Sequence, residues 1–122
     1  MSARELSQVA DAMVRPGKGI IAIDESISTC NKRFEQVGIA PEAGQRRAYR
    51  ELLLTTPRLG EWISGAILYD ETIRQGDGSG RPFVDILNER GILPGIKVDV
   101  GTVPMPGCAG ETITEGLDGL PK

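Results

Sequence analysis

The chain has 122 residues, of which 14 are basic and 17 acidic, so its net charge is −3. This balance argues against a polyanion-binding domain, because such domains usually carry a clear basic excess. Hydrophobic residues make up 39% and charged residues 25% of the chain, which is typical of globular proteins rather than of disordered ones. At this length we expect a single domain over residues 1–122, with no nucleic-acid partner.

Histidine and cysteine usage excludes several kinds of site. The sequence contains no histidine, which excludes Ser-His-Asp catalysis, Cys-His catalysis and His-containing zinc sites. Cys30 and Cys108 are too few for a four-cysteine metal site. They allow one bridge, but two free thiols in a reducing compartment are favoured. No apolar run approaches the roughly 20 residues of a membrane helix, so we expect a soluble cytoplasmic protein without a metal.

In chain order, predicted helices alternate with short apolar strands. Ser2 and Glu5 form a capping box that begins the first helix, and Pro16-Gly17 ends it. From Gly101 onward the sequence is rich in glycine and proline and predicts no regular element. The remaining predicted helices are 29–37, 41–56 and 82–90, and the predicted strands are 19–24, 65–69 and 93–98.

Charged residues follow each predicted strand. They are Asp24-Glu25, Asp70-Glu71, and Lys97 with Asp99. Alternating helices and strands imply a parallel sheet with helical crossovers. Parallel α/β sheets bind ligands at the carboxyl ends of their strands, in open sheets and in closed barrels alike. The sequence therefore predicts a site at this edge of the sheet.

Asp24 and Lys97 are the first candidates for chemistry. Partial burial of Asp24 would raise the pKa of its carboxyl group towards a range useful for proton transfer; the alternative is a residue that caps the next turn. Lys97 points away from the face of Ile96 and Val98. A desolvated lysine has a lowered pKa and can bind phosphate or polarise a carbonyl group. The alternative is an ion pair between Lys97 and Asp99 without chemistry.

A hydroxyl-rich segment begins the second predicted helix. Ser26, Ser28 and Thr29 lie there, with Arg33 a turn further along. Free N–H groups at such a helix start attract anions, whereas the alternative is N-capping followed by a solvated helix face. Arg46 lies on the next helix, where it is expected to be solvated.

Six segments resemble class I (Schiff-base) fructose-bisphosphate aldolases, in the order found in that family. SGAILYDET and the thiol of Cys30 favour the bacterial or plastid-type branch. The segments are GKGIIAIDES at 17–26, NKRF at 31–34, RRAYRELLLT at 46–55, SGAILYDET at 64–72, PGIKVDVGTVP at 94–104 and GETITEGLDGL at 110–120.

This resemblance implies both a fold and an activity. The fold would be α/β, the N-terminal portion of an incomplete TIM (β/α)8 barrel with about three parallel strands. The activity would be that of a carbon–carbon lyase of glycolysis, gluconeogenesis or the Calvin cycle. Such an enzyme reversibly cleaves fructose 1,6-bisphosphate to dihydroxyacetone phosphate and glyceraldehyde 3-phosphate. It does so through a lysine imine, which acts as the electron sink, and it needs no metal or cofactor.

The resemblance also implies roles for particular residues. Asp24 would be the active-site aspartate of the first barrel strand, which assists carbinolamine dehydration and contacts substrate hydroxyls. Lys97 would be the third-strand lysine that helps bind the polar end of the substrate. The other matches are associated with substrate phosphate: Ser26, Thr29, Arg33 and Arg46.

Two departures from the family pattern bear on these expectations. Val100 stands where the family frequently has lysine. Eight strand–helix units need at least about 240 residues, and the imine-forming lysine of the family lies beyond these 122. We therefore expect the isolated chain to be inactive and to need the C-terminal remainder of a barrel.

The resemblance further implies a phosphorylated sugar as substrate, a homotetramer, and a location in the cytoplasm or the plastid stroma. Two alternatives stay open. One is a non-catalytic phosphate-binding or interaction fragment derived from an aldolase, and the other is an unrelated small open-sheet α/β domain.

Overall fold

A three-stranded parallel sheet forms the centre of the computed structural model, which describes residues 2–116 and residue 118. Neighbours in the sheet are also neighbours along the chain, and both pairings are parallel. Parallel neighbours need crossover connections, usually helical, so the predicted alternation and the three predicted strands are confirmed. The strands are β1 (Gly19–Ile23), β2 (Ile63–Leu68) and β3 (Leu93–Ile96).

The four predicted helices are present, together with two short ones that the sequence did not predict. The second helix begins at Ile27, because Ser26 is its N-cap and accepts a hydrogen bond from the Thr29 N–H. The unpredicted helices have four residues each, too few to show a helical periodicity. None of the helices in the described ranges is long and apolar enough to cross a membrane. The helices are α1 (Ala3–Met13), α2 (Ile27–Gln36), α3 (Ala43–Leu54), α4 (Leu59–Trp62), α5 (Asp70–Ile73) and α6 (Phe83–Glu89).

The hydrophobic core lies between β2 and the helices that cover one face of the sheet. Full burial of a large apolar side chain contributes about 1.5–3 kcal/mol, so this layer holds the strands in register. The buried members of the core are Ile23, Leu54, Ala66, Leu68, Phe83, Ile86, Leu87 and Ile92.

The opposite face of the sheet is open. Ile21 and Ile23 pack against the core, so Ile20 and Ala22 point the other way, and both are exposed. A parallel sheet with sequential strand order and helices on one side is the arrangement of a (β/α)8 barrel, whose other face lines the interior. The chain therefore has the fold of three consecutive strand–helix units of such a barrel.

A β-hairpin after the sheet corrects the prediction of no regular structure from Gly101 onward. It pairs Val103 with Ile113 in antiparallel register. Its side chains are mostly exposed, so the sequence lacks the apolar alternation that predicts a half-buried strand. The two strands are β4 (Gly101–Pro104) and β5 (Thr112–Glu115).

Candidate functional site at the carboxyl edge of the sheet

The sheet register brings Asp24 and Lys97 to the same level. Ile23 pairs with Leu68, which in turn pairs with Ile96. Asp24 and Lys97 each follow these paired residues by one position, so they flank the strand end of β2 on the same side of the sheet. Residues 73 positions apart along the chain thus meet at the carboxyl edge, where the sequence predicted a site.

Lys97 lies between two carboxylates. Its Nζ donates to Asp99 Oδ1 at 2.7 Å and lies 3.4 Å from Asp24 Oδ2. All three side chains are partly exposed, between 24% and 37%. The ion pair between Lys97 and Asp99 that the sequence offered as an alternative is therefore present, and Asp24 joins it.

The hydrogen bond from Lys97 to Asp99 sets the charge state of the amine. It raises the pKa of Lys97 above its ordinary value, with Asp24 adding to the effect. The same bond lowers the pKa of Asp99. The lowered lysine pKa considered from the sequence is therefore wrong, because two nearby carboxylates outweigh the desolvation of the amine.

Three hydroxyl groups gather at the start of α2. Ser26 Oγ lies 3.0 Å from both Ser28 Oγ and Thr29 Oγ1. Ser26 and Ser28 line the same cleft as Lys97, whereas Thr29 touches it only through its contact with Ser26. The N-capping interpretation of Ser26 is confirmed.

The two candidate arginines lie outside this cleft. Arg33 is 61% exposed and pairs with Glu25 at 2.7 Å. Arg46, expected to be solvated, is instead buried, and its guanidinium forms two hydrogen bonds of 2.8 and 2.7 Å with the Glu71 carboxylate. Asn31 accepts a third bond from Arg46. The expectation of solvation fails because these partners lie 15 and 25 positions away in sequence, where no local pattern indicates them.

The cleft itself is open and has a volume of about 570 Å³. It brings hydroxyl groups, two carboxylates and one ammonium group together at the strand ends. Within the described ranges, no cluster of three or more histidine, cysteine or acidic side chains is placed to hold a metal ion. The lining residues are Ser26, Ser28, Tyr69, Asp70, Lys97, Val98, Asp99, Val100 and Gly101.

Sequence reasoning missed two residues near this edge. Tyr69 lines the cleft, and no chemical motif surrounds it in the sequence. Arg50 lies behind the cleft and is buried with Arg46 and Leu54 on one face of α3. The sequence did carry one signal for the burial of Arg50. Arg46, Arg50 and Leu54 are spaced four residues apart, so they share a helix face, and Leu54 marks that face as apolar.

Comparisons with known proteins match nearly the whole chain. Residues 5–122 match the model of the family described as glycolytic class I fructose-bisphosphate aldolases. A protein of Xylella fastidiosa described as "Probable fructose-bisphosphate aldolase class 1" is 62% identical over 98% of this chain and 36% of its own length. The chloroplastic fructose-bisphosphate aldolase 1 of Chlamydomonas reinhardtii is 51% identical over 97% of this chain and 31% of its own length.

A solved structure extends the similarity to three dimensions. Fructose-bisphosphate aldolase of Plasmodium falciparum, crystallised with TRAP and a small-molecule inhibitor, superimposes with a TM-score of 0.90 and 47% identity. The match covers 97% of this chain and 34% of that one. The chain is thus a segment of the α/β-barrel class, and it belongs to the class I fructose-bisphosphate aldolase family. It spans about a third of the length of the relatives it matches.

Proposed function

We propose that this chain supplies the first strands of the active site of a Schiff-base aldolase that reversibly cleaves fructose 1,6-bisphosphate. The observation that carries the proposal is the contact of Lys97 with Asp24 and Asp99 at the carboxyl edge of the sheet. A carboxylate and an ammonium group in contact with each other can transfer a proton and bind a substrate oxygen, respectively. Lys97 lines the cleft, and Asp24 borders it through its contact with Lys97. Asp24 is assigned the proton transfer of carbinolamine dehydration, and Lys97 the binding of the substrate's polar end.

The charge state of Lys97 supports binding rather than imine formation. An imine requires a free amine, whereas the hydrogen bonds of Lys97 to Asp99 and Asp24 raise the pKa of its amine and favour the protonated form. By the resemblance to the family, the nucleophilic lysine is assigned to a part of the barrel outside these 122 residues. The 122-residue polypeptide by itself is therefore expected to form no imine.

The hydroxyl cluster at α2 supports a role in phosphate binding. Ser26 and Thr29 lie within hydrogen-bond reach of each other at the N-terminus of a ten-residue helix, whose N–H groups and dipole favour an anion. Arg33 and Arg46 are proposed as phosphate-associated residues only by the resemblance. Glu25 and Glu71 already bind their guanidinium groups, so contact with substrate would require an exchange of partners or a shared contact.

The remaining assignments follow the family. A phosphorylated sugar is the proposed substrate, a homotetramer the proposed assembly, and the cytoplasm or plastid stroma the proposed location. The chloroplastic relative of Chlamydomonas reinhardtii supports the plastid alternative. Sedimentation of the polypeptide of natural length at several concentrations tests the tetramer, and a monomer at all of them contradicts it.

Borohydride trapping tests the proposed reaction. The polypeptide of natural length is incubated with dihydroxyacetone phosphate, reduced with borohydride, and analysed by intact mass and peptide mapping. One reduced adduct outside residues 1–122, together with cleavage of fructose 1,6-bisphosphate, is the expected result. An adduct on Lys97, or no adduct and no cleavage, would contradict the proposal. Phosphate binding without an adduct would favour the non-catalytic alternative.

A further inference from the structure

The buried guanidinium group of Arg50 contacts the backbone on either side of Asp24. Arg50 projects from α3 and is 2% exposed. Its Nε donates to the Ile23 carbonyl oxygen at 2.9 Å, and its Nη2 donates to the Glu25 carbonyl oxygen at 3.0 Å. These two carbonyl groups belong to the residues immediately before and after Asp24. The guanidinium therefore bridges the backbone on both sides of the candidate carboxylate.

The other contacts of Arg50 fix the guanidinium in place. Its Nη1 donates to Cys30 Sγ at 3.3 Å in α2, and its Nη2 lies 3.1 Å from Glu25 Oε2. The Tyr49 ring covers it, with 4.9 Å between the guanidinium carbon and the ring centroid. A planar guanidinium with donors in a fixed fork is suited to hold several acceptors at once. A buried cation needs an opposite charge nearby. The Glu25 carboxylate supplies that charge for Arg50.

We propose that Arg50 is a positioning residue that holds the backbone around Asp24 so that its carboxylate faces Lys97. Arg50 does not reach the cleft itself, since every acceptor it contacts belongs to the strand end, the turn or α2. Its effect on the reaction is exerted through Asp24. This inference rests on the proposed aldol cleavage. Its test distinguishes a failure of the role proposed for Arg50 from a failure of the proposed cleavage itself.

The decisive variant is Arg50→Lys in the polypeptide of natural length. Lysine keeps the charge but cannot bridge two carbonyl groups with a planar fork. Misplacement of a reacting group by about 1 Å can cost roughly a hundred-fold in rate. We therefore expect kcat for fructose 1,6-bisphosphate cleavage to fall about ten- to hundred-fold, and KM, which depends on Ser26 and Thr29 in the neighbouring turn, to change by a smaller factor than kcat.

Arg90→Lys is the matched control. Arg90 also binds backbone carbonyl oxygens, those of Leu54, Thr55 and Thr56, but these lie at the C-terminal end of α3. Both variants are expected to lower the thermal midpoint of unfolding, whereas only Arg50→Lys is expected to lower kcat. Equal loss of kcat in the two variants, or unchanged kcat in Arg50→Lys, would overturn the proposal.

A double-mutant comparison tests whether Arg50 acts through Asp24. In an Asp24→Asn background, Arg50→Lys is expected to change the residual kcat less than about two-fold, because the group it positions is gone. The full ten- to hundred-fold loss in that background would show that Arg50 acts by another route. If Arg50→Lys does not fold, Glu25→Gln replaces it. Because Glu25 also binds Arg33, only kcat is compared in this variant: a lowered kcat supports the proposal, and an unchanged kcat overturns it.

Amide hydrogen exchange provides a readout that does not need catalysis. Arg50→Lys is expected to speed amide exchange over residues 24–30 at least about ten-fold and to leave residues 54–60 unchanged. The reason is that the hydrogen bonds of Arg50 to the Ile23 and Glu25 carbonyl groups suppress local opening at the strand end. Arg90→Lys is expected to do the reverse. If the wild-type polypeptide shows no aldol cleavage, the proposed function fails, and this measurement still decides whether Arg50 holds the backbone around Asp24.

Discussion

Lys97 is held between Asp24 and Asp99, and this environment determines what its side chain can do. The hydrogen bond to Asp99 keeps the amine charged by raising its pKa. A charged ammonium group binds an oxygen anion well and attacks a carbonyl carbon poorly. At the scale of single residues, this arrangement underlies the proposed division of roles between Lys97 and Asp24.

Replacement of Asp24 by asparagine tests this division of roles. In the polypeptide of natural length, Asp24→Asn is expected to lower kcat for fructose 1,6-bisphosphate cleavage by about 10²–10⁴-fold, because general acid–base catalysis typically contributes that much. Steady-state kinetics measure the change. Asp11→Asn, an exposed position on α1, is the control and is expected to leave kcat unaltered. A kcat within about three-fold of wild type in Asp24→Asn would contradict the role.

The pair between Arg46 and Glu71 makes folding stability depend on acid pH. The hydrogen bond from Arg46 lowers the pKa of Glu71 below its ordinary value of 4.5. The unfolded state then binds more protons than the folded state in this range, so stability rises with pH. The contribution of the pair is fully present above pH 4.5 and is lost as the pH falls through the lower folded-state pKa of Glu71.

Glu71→Gln should therefore flatten this acid dependence. In the polypeptide of natural length, urea unfolding between about pH 6 and 3 is expected to show that the free energy of unfolding falls less steeply in the variant than in the wild type. At pH 7 the variant should be less stable by roughly 1–3 kcal/mol, because a charged hydrogen-bond partner is lost. Glu35→Gln changes an exposed carboxylate on α2 and is the control. Parallel pH profiles for Glu71→Gln and the wild type would rule the prediction out.

At the scale of elements, close packing of α4 against the end of α6 requires a glycine. A Cβ on Gly60 would overlap the Arg90 carbonyl oxygen, whereas a Cβ on Gly44 in α3 would meet nothing within 4 Å. Substitution at both positions therefore distinguishes the cost of a steric clash at Gly60 from the general effect of replacing a helical glycine, which Gly44 reports.

Alanine substitutions at these two glycines should have opposite effects. Gly60→Ala is expected to lower the free energy of unfolding by about 1–3 kcal/mol through overpacking. Gly44→Ala is expected to raise it by about 0.4–1 kcal/mol, because alanine restricts the unfolded chain at no cost in the helix. Denaturant unfolding of both variants measures the difference. A Gly60→Ala protein as stable as the wild type would show that α4 shifts freely.

At the scale of the whole molecule, the sheet has two unpaired edges and one uncovered face. β1 and β3 are its outer strands. On the open face, Ile20 is 44% exposed and Ala22 is exposed as well. Unpaired edges and exposed apolar faces favour association with other chains. In a closed barrel, neighbouring strands pair with both edges and the inner faces pack against one another.

The 122-residue polypeptide produced by itself should therefore associate or remain loosely packed. Analytical ultracentrifugation is expected to show assemblies larger than a monomer, and 8-anilinonaphthalene-1-sulfonate is expected to bind the exposed apolar surface. Addition of the complementary barrel segment of a relative should reduce both signals. A dye-negative monomer that unfolds cooperatively would show that these three strand–helix units are stable without further strands.

The sequence alone determined the parallel sheet and the helices that cover it. Apolar runs such as Gly19–Ile23 predict buried strands, and the capping box of Ser2 and Glu5 predicts a helix start, because both signals are local. Both Asp24 and Lys97 stand at the carboxyl ends of predicted parallel strands, so the sequence also placed them at one end of the sheet. The sequence did not predict the β4–β5 hairpin, whose exposed strands show no apolar alternation.

The tertiary structure alone decided how the charged residues are paired. Arg46 was expected to be solvated and is instead bound to Glu71, 25 positions further along the chain. Arg50 binds the backbone around Asp24 from the same helix face. Local patterns indicate which residues share a face, but a lone charge can be buried only where a partner arrives from elsewhere in the chain. Packing of α3 against the strand ends brings those partners together, and that packing fixes the surroundings of the site.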